Sequence, residues 1–237
     1  MAERPILFSA PMVSAILDGR KTVTRRVLKP VPFPDGYYQG EVCLDRSGAY
    51  AQFSVEAVGG GAFLTEEHQC PYGDPRDRLW VREAWRVPDS LDGYSGFDIA
   101  ERCIEAGYRK PWAPIRFEAD GALNSAKDWH EFGATPGEST PGRYRHARFM
   151  PRWASRITLE VTGVRVERLR DISEADAVAE GIEQSPRTGG WLPGNCAEPE
   201  WAFRELWEQI NGVGSWDANP WVWVVEFRRI EQEARAA

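Results

Sequence analysis

The run from Arg156 to Leu169 constrains this chain most, because it is a long strand pattern that changes phase in the middle. Successive side chains of an extended chain point to opposite faces, so Ile157, Leu159 and Val161 lie on one side. The phase then slips by one residue, and Val164 and Val166 carry the apolar pattern on. The slip falls at Gly163, and an extra residue at a glycine is the sequence mark of a β-bulge. Bulged, strongly bent strands are what a small barrel requires. Other runs offer partners for it. Pro5 to Ser9 suits an opening strand. Leu79 to Val87 alternates with Leu79, Val81, Trp85 and Val87 on one face. Ile115 to Ala119 runs into an Asp120-Gly121 turn signal, and Pro220 to Ile230 closes the chain with Trp221, Trp223, Val225 and Phe227 aligned.

Helical patterns are fewer. Pro11 to Leu17 has Met12, Val13, Ile16 and Leu17 on an apolar face and should end at Gly19. Ser173-Glu174-Ala175-Asp176 has the form of a capping box, opening a helix that ends near Glu180 with Gly181 as its cap. Phe203, Leu206, Trp207 and Ile210 repeat at helical spacing up to Asn211-Gly212. Residues 88–111 suit a loop with a short helix, and 122–145 a loop. Residues 31–72, with Gly59-Gly60-Gly61, hold at most a weak hairpin. The order of elements gives an α+β chain with mostly antiparallel strands, read as one domain over 1–237 with long insertions at about 31–72 and 88–145. No internal repeat and no glycine-rich nucleotide loop is present.

The balance of charge narrows the function. A net charge of -7 argues against a surface coated to track nucleic-acid backbone, while leaving room for a local basic cleft. Cys43, Cys70, Cys103 and Cys196 are scattered without a C-x-x-C pair, and no leader or membrane-length apolar run is seen; a reduced, cytoplasmic protein without a membrane partner is expected. Of eleven tryptophans, most should serve the core, leaving one or two for stacking on a ligand. His68-Gln69-Cys70 is the only close His/Cys pair and fits no zinc spacing, so no metal site is expected. There is no nucleophile-elbow sequence. Lysine, threonine and carboxylate remain as the actors.

Those residue types gather just after Gly19. Arg20, Lys21, Thr22, Thr24, Arg25 and Arg26 form a burst of cations and hydroxyls. If the segment is extended, Thr22, Thr24 and Arg26 share one side with Lys21 at the turn beside them. A lysine next to a threonine hydroxyl, ringed by arginines, suits chemistry on an anionic or polarised ligand; a solvated basic turn is the plain alternative. Glu83 falls on the apolar face of its strand, where it either pairs with an arginine such as Arg82 or Arg26 or lines a ligand pocket. Arg143, Arg145, His146, Arg148, Arg152 and Arg156 interleave with Tyr144, Phe149 and Trp153, a mixture that suits phosphates and stacked bases or merely offsets the acidic surface. Glu180 stands at the negative end of a helix dipole. It is either exposed, or its pKa is raised for use as a proton donor.

The run Ile16-Leu17-Asp18-Gly19-Arg20-Lys21-Thr22-Val23-Thr24-Arg25-Arg26 resembles the signature of the ASCH family, a branch of the PUA-like folds, and is close to that of the small bacterial N4-acetylcytidine amidohydrolases. Ile172-Ser173-Glu174 through Ala179-Glu180-Gly181 matches the family's second motif. Asp77-Arg78-Leu79-Trp80-Val81 is similar to its Gly-Asp-x-Leu strand entry, with Arg76 where the glycine would stand. Arg4 to Met12, Met150 to Arg156 and Asn219 to Trp223 are similar to the larger ASCH proteins of phages and prophages. The resemblance implies a PUA-like, mostly antiparallel β-barrel with flanking helices. It implies a cleft for a nucleoside or nucleobase, with Thr24 as nucleophile, Lys21 as its base and Glu180 as proton donor. Arg20, Thr22, Arg25, Arg26, Glu83, Arg152, Trp153 and Arg156 are the candidate substrate-binding residues. The implied reaction, removal of an acyl group from a modified cytosine, needs no metal and no cofactor. The alternatives are a binding module without catalysis that holds RNA or a modified nucleotide through Arg148, Arg152, Arg156 and Trp153, a ribonuclease acting on single-stranded RNA, and a phage assembly protein with a vestigial cleft.

Overall fold

The computed structural model describes residues 1–29, 41–56, 63–124 and 140–230. Its elements run β1 (Glu3–Leu7), α1 (Ala10–Leu17), β2 (Val23–Val27), β3 (Glu41–Leu44), β4 (Tyr50–Glu56), β5 (Phe63–Gln69), β6 (Arg78–Arg82), β7 (Trp85–Arg86), α2 (Gly96–Glu105), β8 (Arg116–Phe117), β9 (Thr158–Arg168), α3 (Glu174–Ala179), α4 (Pro199–Asn211) and β10 (Trp221–Ile230). The fold is α+β. Its sheets have the orders β1-β6-β9-β10-β2, β3-β4-β5 and β7-β8, and no closed barrel is seen among the described residues. No helix among them is long and apolar enough to cross a membrane. The chain divides into two compact units, one of Met1–Ala2, Asp18–Arg78 and Glu160–Arg228, the other of Glu3–Leu17, Leu79–Leu159 and Arg229–Ala237. Both are assembled from separated segments, so no linker marks a boundary in the sequence.

In the first unit, β2 pairs antiparallel with β10 from Val23 opposite Glu226 to Val27 opposite Val222. Val23, Val222 and Val224 pack with Ala177 of α3, Phe203 and Trp207 of α4, and Ile172, Ile182 and Trp216. The alternation expected for β10 is only half of what is found: Val222 and Val224 are buried as well as Trp223, Val225 and Phe227. A continuous apolar run is the pattern of a strand covered on both faces. On β9, Leu159 and Val161 are buried and then Val164, so the slip at Gly163 is real. A Cβ at Gly163 would stand 2.8 Å from Glu226 Oε2, so a larger residue requires that carboxylate to move.

Residues 31–72 depart from expectation. In place of a weak hairpin they contain the three antiparallel strands β3, β4 and β5, with β4 and β5 in register from Tyr50 opposite Gln69 to Glu56 opposite Phe63. Among the side chains described there, Ala51, Phe53 and His68 are buried, and the polar stretch Thr65-Glu66-Glu67-His68-Gln69 hides the strand from a hydropathy reading. Gly59-Gly60-Gly61 lies outside the described residues.

In the second unit the single strand expected over Leu79–Val87 is two, β6 and β7, with the break at Glu83 and Ala84. Beyond the break β7 pairs with β8, Trp85 opposite Phe117 and Arg86 opposite Arg116. The burial phase survives: Leu79, Val81, Glu83, Trp85 and Val87 are all buried. Trp85, Ile99, Cys103, Ile115, Phe117 and Met150 form the core here. Ser95 caps α2 in a full capping box with Asp98. The basic segment 143–156 is not a strand but holds the 3-10 turns Ala147–Phe149 and Arg152–Ala154. Most of the loop expected at 122–145 lies outside the described residues.

Candidate active site

Gly19 takes φ +75°, the left-handed turn that ends the approach to β2 and delivers the chain into the burst of cations. The main chain of Thr22 then fixes two elements at once. Its N–H donates to Ala179 O at the end of α3 (2.9 Å), and its carbonyl accepts from Phe227 N–H of β10 (2.8 Å). The C-terminus of α3 is thereby held beside the start of β2. Glu180 is the C-cap of α3, and Gly181 follows at φ +96°. This local geometry brings Lys21 and Glu180 together.

Lys21 is fully enclosed. Its Nζ donates to Glu180 Oε2 at 2.6 Å, to Glu180 O at 2.8 Å and to Val23 O at 2.8 Å. An ammonium has three N–H donors, and these three acceptors match them. Glu180 is 4% exposed, so the exposed reading of this residue fails. Its Oε1 accepts from Arg25 N–H at 2.6 Å. Thr24 therefore lies between two anchored main-chain atoms, Val23 O held by Lys21 and Arg25 N–H held by Glu180. Thr24 is itself buried, opposite Val225 of β10 and on the face of β2 away from Arg25.

A ring of charge encloses the pair. Arg25 Nε and Nη2 donate to Glu167 Oε1 at 3.1 and 2.5 Å, and Nη2 to Asp176 Oδ2 at 2.7 Å. Its Nη1 lies 3.6 Å from Glu180 Oε1, within ion-pair range but too far for a hydrogen bond, and is buried without a hydrogen-bond partner. Arg165 donates to Glu167 Oε2 at 3.1 Å and also pairs with Asp176 and Glu226. Burial holds the Lys21 ammonium below its ordinary value of 10.5, with help from Arg26 and Arg25 and against the opposing pull of Glu180. Of the three arginines expected to supply that field, Arg25 and Arg26 contribute, burial outweighs them, and Arg20 is not among the causes.

Arg20 is exposed and pairs with Asp18 (2.9 Å) and Glu183 (3.0 Å). Thr22 is exposed at the side chain, and Arg26 is half-buried. The expected capping box is half formed: Ser173 Oγ accepts from Asp176 N–H, while the Asp176 carboxylate turns to Arg25 and Arg165 instead of back to its helix end. Asp176, Glu167, Arg165 and Glu226 were not foreseen as part of this site. Arg165 and Glu167, of opposite charge two apart on one strand face, were the only hint.

Glu83, Arg152, Trp153 and Arg156 belong to the second unit. Glu83 pairs with neither Arg82 nor Arg26, but with Arg156 in a two-pronged contact of 2.8 and 2.9 Å. Arg156 also reaches Asp120 (2.8 Å) and lies 4.0 Å over the Phe117 ring. Burial pushes the Glu83 carboxyl up, and Arg156 opposes that rise. Arg152 grips Glu3 at 2.7 and 3.0 Å, and the Trp153 indole N–H donates to Gly96 O at 3.0 Å. These four are thus engaged with protein partners. Among the described residues no group of three or more His, Cys, Asp or Glu side chains is set to hold a metal ion. His68 packs edge-on against Phe53. Comparison with protein-family models, curated proteins and solved structures finds no match.

Proposed function

We propose that the chain is a hydrolase of the ASCH type, with a PUA-like barrel, that removes an acyl group from an N-acylated cytosine nucleoside or a related modified base. The observation that carries this reading is the enclosed Lys21–Glu180 pair, 2.6 Å apart, with its two anchors on either side of Thr24. A threonine hydroxyl needs a base to attack an amide, and a lysine serves as one only when its proton is loosened by burial. Arg76 adds support. It takes φ +82° at the place where the family's strand entry has glycine.

In the proposed reaction a proton first passes from Lys21 to Glu180, leaving a neutral amine and a neutral acid. Thr24 Oγ then bonds to the acyl carbon while its proton goes to Lys21. The C–N bond breaks, and the leaving cytosine amine takes the proton of Glu180. With the pair back as ions, a proton again passes from Lys21 to Glu180; water then attacks the Thr24 ester and gives its proton to Lys21, the Thr24 oxygen leaves with the proton of Glu180, and the carboxylic acid departs. General acid–base help of this kind is worth roughly 10²–10⁴ in rate.

The test is incubation of the protein with N4-acetylcytidine and longer N4-acylcytidines, followed by chromatography. Cytidine release by the wild type, lost in Lys21→Ala and Thr24→Ala, is expected, with the acyl mass found on the Thr24 peptide after a rapid quench. Release by Thr24→Ala at the wild-type rate would remove threonine as nucleophile, and no release across the panel would overturn the reading. RNA binding through Arg148, Arg152, Arg156 and Trp153 is the weaker reading, because three of those four side chains, Arg152, Arg156 and Trp153, are already engaged within the second unit.

A further inference from the structure

The second unit holds a cleft of about 590 Å³ formed by the start of α2, Arg82 and residues 143–151. A concavity of this size takes a small organic ligand. Phe97, Tyr144 and Phe149 line it with their rings in solvent, Phe97 at 70% and Phe149 at 63% exposure. Arg82, Arg143 and Arg148 line it too, and among the described residues none of the three has a carboxylate in ion-pair range.

Arg82 is the most telling of these. Its guanidinium lies 4.8 Å over the Trp80 ring, and its Nε is buried without a hydrogen-bond partner. A buried donor left unmade is costly, and a bound oxygen anion relieves it. The Arg148 guanidinium lies 4.9 Å from the Phe149 ring, so cation and aromatic face are already side by side.

The nearby carboxylates of Asp92 and Asp98 keep their charge, yet neither is in ion-pair range of the Arg82, Arg143 or Arg148 guanidinium. Both oxygens of Asp92 accept from Arg143 N–H at 2.9 Å, and Asp98 accepts from Ser95 N–H at 2.8 Å. The remaining arginines of the same run are engaged elsewhere: Arg145 with Leu91 O and Tyr94 O, Arg152 with Glu3, Arg156 with Glu83 and Asp120. In a chain of net charge -7, cations without a carboxylate partner have collected beside solvent-exposed rings, of which Phe149 carries Arg148 over one face and Tyr144 meets Arg86 and His146.

We propose that this cleft is a nucleotide-binding site, with phosphate on Arg82, Arg143 and Arg148 and the base stacked on the rings. Planar guanidinium forks match phosphate oxygens, and exposed aromatic faces match a base. An acidic peptide would use the arginines and leave the rings idle. The proposal stands apart from the reading of Lys21, Thr24 and Glu180, and its test reads binding rather than hydrolysis.

Calorimetric titration of the full chain with the nucleoside monophosphates, the matching nucleosides, inorganic phosphate and a single-stranded oligonucleotide tests it. A monophosphate should bind, with the nucleoside and phosphate each weaker by about tenfold or more. Phe149→Ala and Arg148→Ala, both at exposed positions, should each weaken the nucleotide by about tenfold while melting at the wild-type temperature. Absence of nucleotide binding would overturn the proposal, as would binding unchanged in both variants. Inorganic phosphate binding as tightly as the nucleotide would show the rings idle and also overturn it. Binding of the oligonucleotide alone would give the cleft to a polymer instead.

Discussion

Each unit pairs a buried carboxylate with a cation, Glu180 with Lys21 in the first and Glu83 with Arg156 in the second, and the two pairs differ in kind. Glu83 meets Arg156 through two parallel contacts of 2.8 and 2.9 Å, while Lys21 meets Glu180 through one side-chain contact of 2.6 Å and two main-chain carbonyls. Arginine keeps its proton under any ordinary condition. The Glu83 pair is therefore a fixed fastener, joined further to Asp120 and to the Phe117 ring. Lysine in an enclosed place loses its proton more readily, and burial lowers the Lys21 ammonium in this way. Lys21 is wholly enclosed and Arg156 partly so, and under the proposed reaction only Lys21 moves a proton.

The largest effect expected from breaking this contrast is at Lys21. Lys21→Met takes from enclosed Glu180 the cation it is hydrogen-bonded to, leaving it Arg25 Nη1 at 3.6 Å, and urea unfolding should show a loss of about 3–5 kcal/mol. Lys21→Arg keeps the charge and should fold better than Lys21→Met, yet its hydrolysis of an N4-acylcytidine should fall by about 10²–10⁴. Activity in Lys21→Arg near that of the wild type would erase the distinction between the pairs. At Glu83 the opposite split is expected. Glu83→Gln should lower stability by about 2–3 kcal/mol and leave kcat within about twofold of wild type, since Arg156 keeps Asp120 as a partner.

Asp176→Asn should cost about 1–2 kcal/mol, because it weakens contacts to both Arg25 and Arg165. It should also lower kcat more than it raises KM, through the loosened Arg25 main chain that holds Glu180. An equal fall in a variant of the Glu83 pair would deny Asp176 any positioning role.

The pH dependence has a definite sign. The folded value of Lys21 is depressed below 10.5, so between that folded value and 10.5 the unfolded chain holds the extra proton. Stability from this group is present above 10.5 and is lost as pH falls through the folded value. Wild type should gain on Lys21→Met as pH rises across that window, measured by urea unfolding at several pH values. Glu83 carries the reverse sign. Its carboxyl is pushed above 4.5, so its contribution is full below 4.5 and falls as pH rises through the folded value. The smallest effect is at Arg76: Arg76→Gly should change stability by at most about 1 kcal/mol, upward, by relieving φ +82°.

Much of the first unit is legible in the sequence because local rules decide it. Gly19 and Gly181 take the positive φ their positions demand, Phe203 and Trp207 face the core, and the slip at Gly163 marks a close approach to Glu226. The β3-β4-β5 sheet is not legible, since the stretch Thr65-Glu66-Glu67-His68-Gln69 in it is polar. The partner of Glu83 is 73 residues away in the chain, and local pattern carries no information on such a pairing. Two motifs single out Lys21, Thr24 and Glu180, and the structure brings Lys21 onto Glu180, whereas the ring of Arg165, Glu167, Asp176 and Glu226 depends on how distant segments meet. Ser173 looked like one half of a capping box and is, but its expected partner Asp176 serves Arg25 and Arg165.

The claim that the proton of the Lys21–Glu180 pair is movable can be measured directly. The chain's lysines are Lys21, Lys29, Lys110 and Lys127, few enough for nitrogen-15 labelling and resonance assignment. Titration of the Nζ shifts up to and beyond 10.5 should show Lys21 releasing its proton below that value, while exposed Lys29 serves as the reference. Lys21 titrating at or above 10.5 would make its pair a fixed fastener like that of Glu83 and Arg156, and would contradict its role as a base.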